Sequence, residues 1–197
     1  MAIDSAPRGA SRPARVPGEG GTWVFILGDL VLFAAMFAVF LVYRSEDLPT
    51  YAAGHAAMSQ TSGALMTLAL LASSLAAALA MTRLRAGATR QARRLLLCAA
   101  AFGVAFCAIK AVEYQQKAGE GHGPWASDFW TFYFGLTGLH LAHVLIGIAA
   151  LCGIAWTLPD RERLTPRRLA GIESVTTFWH MVDAVWMVLL ALLYLVR

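Results

Sequence analysis

The chain has 197 residues, a formal net charge of +4, and 58% hydrophobic against 14% charged residues. Ordinary soluble domains are about half apolar and about a quarter charged, so this balance excludes a water-soluble fold and indicates an integral membrane protein. Each crossing needs roughly 20 apolar residues, because a helix rises about 1.5 Å per residue through a hydrocarbon layer about 30 Å thick.

Residues 1–21 are rich in Pro, Gly, Ala and Arg and contain no apolar stretch of the kind that a signal peptide requires. They read as a flexible cytoplasmic tail, followed by a single membrane domain over residues 22–197. Five segments are long and apolar enough to cross: Thr22–Tyr43, Thr61–Thr82, Leu95–Gln115, Phe129–Thr157 and Ile172–Val196. The expected fold is all-α, a bundle of five transmembrane helices. Cys98, Cys107 and Cys152 all fall inside these spans without metal-ligand spacing, and read as core filler. Ala69, Ala72, Ser73, Ala76, Ala77 and Ala80 in the second span, and Gly135, Gly138, Gly147, Ala149 and Gly153 in the fourth, suit close helix packing. Trp125 and Trp130, at the start of the fourth span, read as interfacial anchors.

Basic residues set the orientation, since Lys and Arg are retained on the cytoplasmic side of short loops. Arg8, Arg12 and Arg15 precede the first span, Arg83, Arg85, Arg90, Arg93 and Arg94 join the second to the third, and Arg161, Arg163, Arg167 and Arg168 join the fourth to the fifth. The other side has only Arg44, Lys117 and Arg197, while Lys110 lies within a span. The N-terminus is therefore expected in the cytoplasm and the C-terminus outside. Basic charge divided among loops in this way offers no domain for a duplex, so nucleic acid is not an expected partner.

Ionisable groups inside a span cost about 2.5 to 3.5 kcal/mol each on insertion scales, so they face protein or water. At 100° per residue, Glu173, Thr176, His180, Asp183, Met187 and Tyr194 share one face of the fifth span. Tyr133, Thr137, His140, His143 and Gly147 line one side of the fourth. Lys110 and Glu113, three apart in the third span, are placed to pair, and Asp29 in the first lies on the side of Phe25, Phe33, Met36 and Phe40. The eight groups Asp29, Lys110, Glu113, His140, His143, Glu173, His180 and Asp183 are expected to form a structural polar network that fixes helix register. Two rival readings use the same residues: an autonomous b-type cytochrome ligated through His140, His143 and His180, or a small proton-coupled transporter built on Asp29, Lys110 and Glu113.

Three motifs in order carry a resemblance to a known family: AVEY at Ala111–Tyr114, TGLHLAHVLIG at Thr137–Gly147, and FWHMVDAVW at Phe178–Trp186, with a weaker match in LALLASS at Leu68–Ser74. Together they resemble subunit III of the haem-copper oxidases, over nearly everything from Pro17 onward. The resemblance implies that Glu113, His140, His143, His180 and Asp183 belong to a helix-packing network in a subunit without haem or copper, so no cofactor and no catalytic residue is expected. The implied partner is the haem-copper catalytic subunit, either oxidase subunit I or a nitric oxide reductase large subunit, together with membrane lipid. Two departures stand out. Gly28 and Asp29, within WVFILGD, replace the Ser-Glu of respiratory oxidases and resemble the accessory protein E of nitric oxide reductases. Many subunit III chains have seven helices, and the first two, which form one wall of a lipid-holding cleft, have no counterpart here.

Overall fold

The computed structural model describes residues 20–159 and 164–195, and their regular structure is entirely helical. α1 runs Gly20–Glu46, α2 Leu48–Ala56, α3 Gln60–Arg85, α4 Thr89–Gly119, α5 Asp128–Thr157 and α6 Pro166–Leu190, the last continued by a π turn at Ala191–Leu195. α1, α3, α4, α5 and α6 with its π turn are long and apolar enough to cross a membrane. They coincide with the five expected spans. The expected tail lies outside the described residues apart from its last two.

Polar ends extend the helices beyond their apolar stretches. α4 begins at Thr89 and ends at Gly119, where Leu95 and Gln115 were expected. Arg90, Arg93, Arg94 and Lys117 lie within the helix but lower the local hydropathy, so the apolar pattern registers only its middle. Side-chain caps mark other starts: Ser59 accepts from the Ser62 N–H at 3.3 Å, and Thr165 from the Arg168 N–H at 3.3 Å with Pro166 next in line. Gly87, with φ of 75°, turns the chain between α3 and α4 where an L side chain would be strained.

α2 has no precedent in the hydropathy pattern, being nine residues long. Asp47 starts it by accepting from the Thr50 N–H, and hydrogen bonding by Thr50, through its side chain first and its backbone second, holds the carboxyl below its ordinary pKa. Tyr51 and His55, one turn apart, are buried edge-on against Phe129. Gly54 lies so close under Phe129 that any Cβ would overlap the ring.

α3, α4, α5 and α6 form a closed ring in which each packs on its neighbours, and α1 leans against α5 and α6. α3 and α4 pack closely, and both carry small buried residues, Ala76, Ala77 and Ala80 on α3 and Ala92, Ala99 and Ala100 on α4. α1 exposes Val24, Leu27, Val31 and Val39 along its outer side.

Several sequence expectations change here. Cys98 and Cys152 are exposed and Cys107 half-buried, so the cysteines lie on the bundle's flanks and do not fill its core. Trp125 is exposed as an anchor would be, but Trp130 is 4% exposed and stacks on His122 at 4.5 Å between centroids. Met187, on the α6 face that carries His180, is exposed, so that part of the face looks out of the bundle. Of the α5 glycines, Gly147 alone meets a neighbour, the ring of Trp179; Gly135, Gly138 and Gly153 have open space.

Candidate functional site

The intramembrane polar residues fall into distinct clusters. The most enclosed joins α4, α5 and the π turn. Glu113 Oε1 accepts from the Tyr133 hydroxyl at 2.6 Å and from the Tyr194 hydroxyl at 2.7 Å. Lys110 Nζ donates to the same two phenol oxygens at 3.0 and 2.9 Å and stands 3.6 Å from Glu113 Oε1. Each phenol thus receives a hydrogen bond from the ammonium and gives one to the carboxylate. The ammonium also lies 4.5 Å from the Tyr133 ring centroid and 5.7 Å from that of Trp186, within cation–π range. Lys110 and Glu113 are 1% and 2% exposed, so this arrangement replaces water for both charges. Nearby, Thr137 is bonded to Tyr114 at 2.6 Å and donates to the Tyr133 carbonyl.

A second cluster joins α1 to α5. His143 Nδ1 donates to the Leu139 carbonyl at 2.8 Å, because a carbonyl can only accept, and its Nε2 stands 3.4 Å from Asp29 Oδ2. That is an ion-pair distance without hydrogen-bond alignment. Phe33 sits edge-on to the same imidazole at 5.5 Å.

The third cluster joins α6 to α3. His180 Nδ1 and the Ser74 hydroxyl are 2.6 Å apart. Two tryptophans of α6 donate into α3 as well, Trp179 Nε1 to Ser73 Oγ at 3.1 Å and Trp186 Nε1 to Thr67 Oγ1 at 3.0 Å. Ser73 passes the bond on to the Ala99 carbonyl of α4 at 2.7 Å. Trp179 is held from two further sides, since Gly103 of α4 and Gly147 of α5 leave the slot that its indole fills.

The eight expected residues are therefore not one connected set. His180 and Asp183, the last-helix pair, do not bond to each other: His180 takes Ser74, and neither Asp183 oxygen has a hydrogen-bond partner among the described residues. His140 is 1% exposed between the rings of Phe106 and Trp186, at 5.6 and 5.5 Å, and neither of its nitrogens has a hydrogen-bond partner among the described residues. Glu173 lies at the basic end of the bundle and pairs at 2.9 Å with Arg85, whose side chain is 58% exposed. Among the described residues no three His, Cys, Asp or Glu side chains converge as metal ligands.

Sequence reasoning placed Tyr133 and Tyr194 on polar faces without giving them a partner, and it overlooked Ser74. The signal for Ser74 was present, because the LALLASS motif ends on Ser73 and Ser74, the two serines that meet Trp179 and His180. Outside the spans, His55 Nδ1 donates to the Leu193 carbonyl at 3.1 Å, and burial holds its pKa below the ordinary value and the ring neutral.

Known proteins share this sequence along nearly its whole length. A family model described as Cytochrome c oxidase subunit III matches residues 16–196. The chain is 31% identical over 180 residues to the cytochrome bo(3) ubiquinol oxidase subunit 3 of Pseudomonas aeruginosa, covering 89% of this chain and 83% of that one. It is 30% identical over 179 residues to the quinol oxidase subunit 3 of Bacillus subtilis, with 89% and 85% covered. The cytochrome c oxidase subunit 3 of Corynebacterium diphtheriae is 27% identical over 199 residues, with 100% and 96% covered. These relatives are oxidase subunits, and they lend nothing to the nitric oxide reductase branch towards which Gly28 and Asp29 lean. A five-span helical bundle with the three motifs in place, matched by that family along its length, makes this multi-pass membrane chain a member of the cytochrome c oxidase subunit III family.

Proposed function

We propose that the chain is the non-catalytic third subunit of a bacterial haem-copper oxidase, holding and stabilising the catalytic subunit I through a lateral face of its bundle. The observation that carries this reading is the use made of the ionisable groups. Lys110 and Glu113 are consumed in a cage with Tyr133 and Tyr194, His143 faces Asp29, and His180 is tied to Ser74. These contacts fix one helix against another and leave Lys110 and Glu113 shielded from any bulk phase. The same pairing is the proposed role of the polar residues: helix register. The basic ends of α3, α4 and α6 face the cytoplasm in this reading, and bilayer lipid covers the outer side of α1.

The test is to purify the membrane complex through an affinity tag on this chain and record its haem spectrum. A haem-copper subunit in near-equal amount, with quinol or cytochrome c oxidase activity that falls when the chain is deleted, is the expected result. A partner with nitric oxide reductase activity would favour the reading suggested by Gly28 and Asp29. Retention of no haem protein at all would sink the assignment.

A further inference from the structure

The crevice between α3 and α6 carries hydrogen-bonding groups at a depth where only hydrocarbon would otherwise lie. α3 runs Gln60–Arg85, and α6 with its π turn runs Pro166–Leu195. Ser74 and His180 both fall near the middle of their helices, far from either headgroup layer. Both are only half-buried. The His180–Ser74 bond occupies Nδ1, and the Nε2 of the ring has no hydrogen-bond partner among the described residues. One turn further along α6, Asp183 is 7% exposed, and neither carboxylate oxygen has a hydrogen-bond partner among the described residues.

Acyl chains offer nothing to an imidazole or a carboxylate, and polar groups at this depth are costly unless protein or water meets them. The surface around the pair suits another helix. Ala78 on α3 and Ala184 on α6 are exposed small residues that allow backbones to approach closely, and Leu71 and Met187 stand as larger side chains at the rim. The opposite side of the ring, formed by α4 and α5, presents the apolar Val104, Leu145 and Ile146.

We infer that the α3–α6 crevice centred on Ser74 and His180 is the face that receives one transmembrane helix of the haem-bearing subunit, which supplies a hydrogen-bonding side chain at mid-membrane. This rests on the oxidase-subunit reading above and adds where the contact is made. Lipid is disfavoured as the occupant because its polar groups stay at headgroup level, about 15 Å away. A second copy would cover this face in a homodimer, and the cross-links below tell that outcome from the haem-bearing subunit.

The experiment uses the complex in its own membranes. Photoreactive benzoyl-phenylalanine replaces Leu71 or Met187 at the rim of the crevice, and Val104 or Leu145 on the opposite side. Adducts to the haem-bearing subunit are expected from the first two positions, and lipid adducts from the second two. His180→Leu should lower the amount of chain retained with the haem subunit by roughly threefold to tenfold, the loss of one interhelical hydrogen bond, while His180→Gln keeps most of it. Adducts from Leu71 and Met187 to lipid alone or to a second copy would overturn the inference, as would haem-subunit adducts from Val104 and Leu145. If the wild-type chain retains no haem subunit, the functional reading fails together with the inference. If it retains one that cross-links only from the other side, the docking face alone is wrong.

Discussion

A lysine and a glutamate survive at hydrocarbon depth here because the two phenols between them each act as acceptor and donor. Tyr133 and Tyr194 take a hydrogen bond from Lys110 and return one to Glu113 Oε1, while Oε2 is buried without a hydrogen-bond partner among the described residues. Truncating one member of such a pair strands the other, a loss of about 3–5 kcal/mol, whereas replacing both can be close to neutral. Lys110→Met should therefore lower the melting midpoint in detergent strongly. The double variant Lys110→Met with Glu113→Leu should recover part of that loss, although the tyrosine hydroxyls then lack their acceptor. If the double variant melts lower than either single one, the charges are not coupled as described. The pairing of Lys110 with Glu113 could be read from their spacing of three. The phenols could not, since they come from residues 20 and 81 positions beyond Glu113, and nothing local links them to it.

At the level of elements, one side chain ties the ring of four helices together. Trp179 leaves α6, donates to Ser73 of α3, and lies in a slot between Gly103 of α4 and Gly147 of α5. The two glycines matter for space, because their backbone conformations are ordinary helix. Gly147→Ala would force a Cβ into the indole and should cost about 1–3 kcal/mol by overpacking. Gly153→Ala, on the same helix but facing open space, should be neutral or stabilising by up to about 1 kcal/mol, the difference in helix propensity. Equal melting of the two variants in detergent would show that the slot is not tight. Both glycines look alike in the sequence, since a small residue tells nothing of whether a ring lies over it. Cys98 and Cys152 illustrate the same gap: an apolar residue in a span suits an outer face as well as the core, and here both are exposed.

For the molecule as a whole, the arginines at the ends of α3, α4 and α6 imply one orientation, with the α3–α4 turn in the cytoplasm and the α4–α5 loop outside. A cysteine placed at Ala86, exposed beside the turn, should react with a membrane-impermeant thiol reagent in inside-out vesicles. One placed at Trp125, 88% exposed, should react in spheroplasts instead. The reverse pattern would invert the topology. The five spans followed from the sequence alone, because crossing a bilayer requires about 20 apolar residues in continuous succession, and that is a local property. The faces of α4 and α5 that carry Lys110, Glu113, Tyr133 and His143 followed from helical periodicity, which is local too. Which face meets which was settled only in three dimensions. His180 finds Ser74 and not Asp183, Glu173 finds Arg85 at the membrane edge, and α2 folds across the end of the bundle. Those choices depend on helices separated by tens of residues coming to rest side by side, and the packing of Trp179 and the alanines decides how they do so.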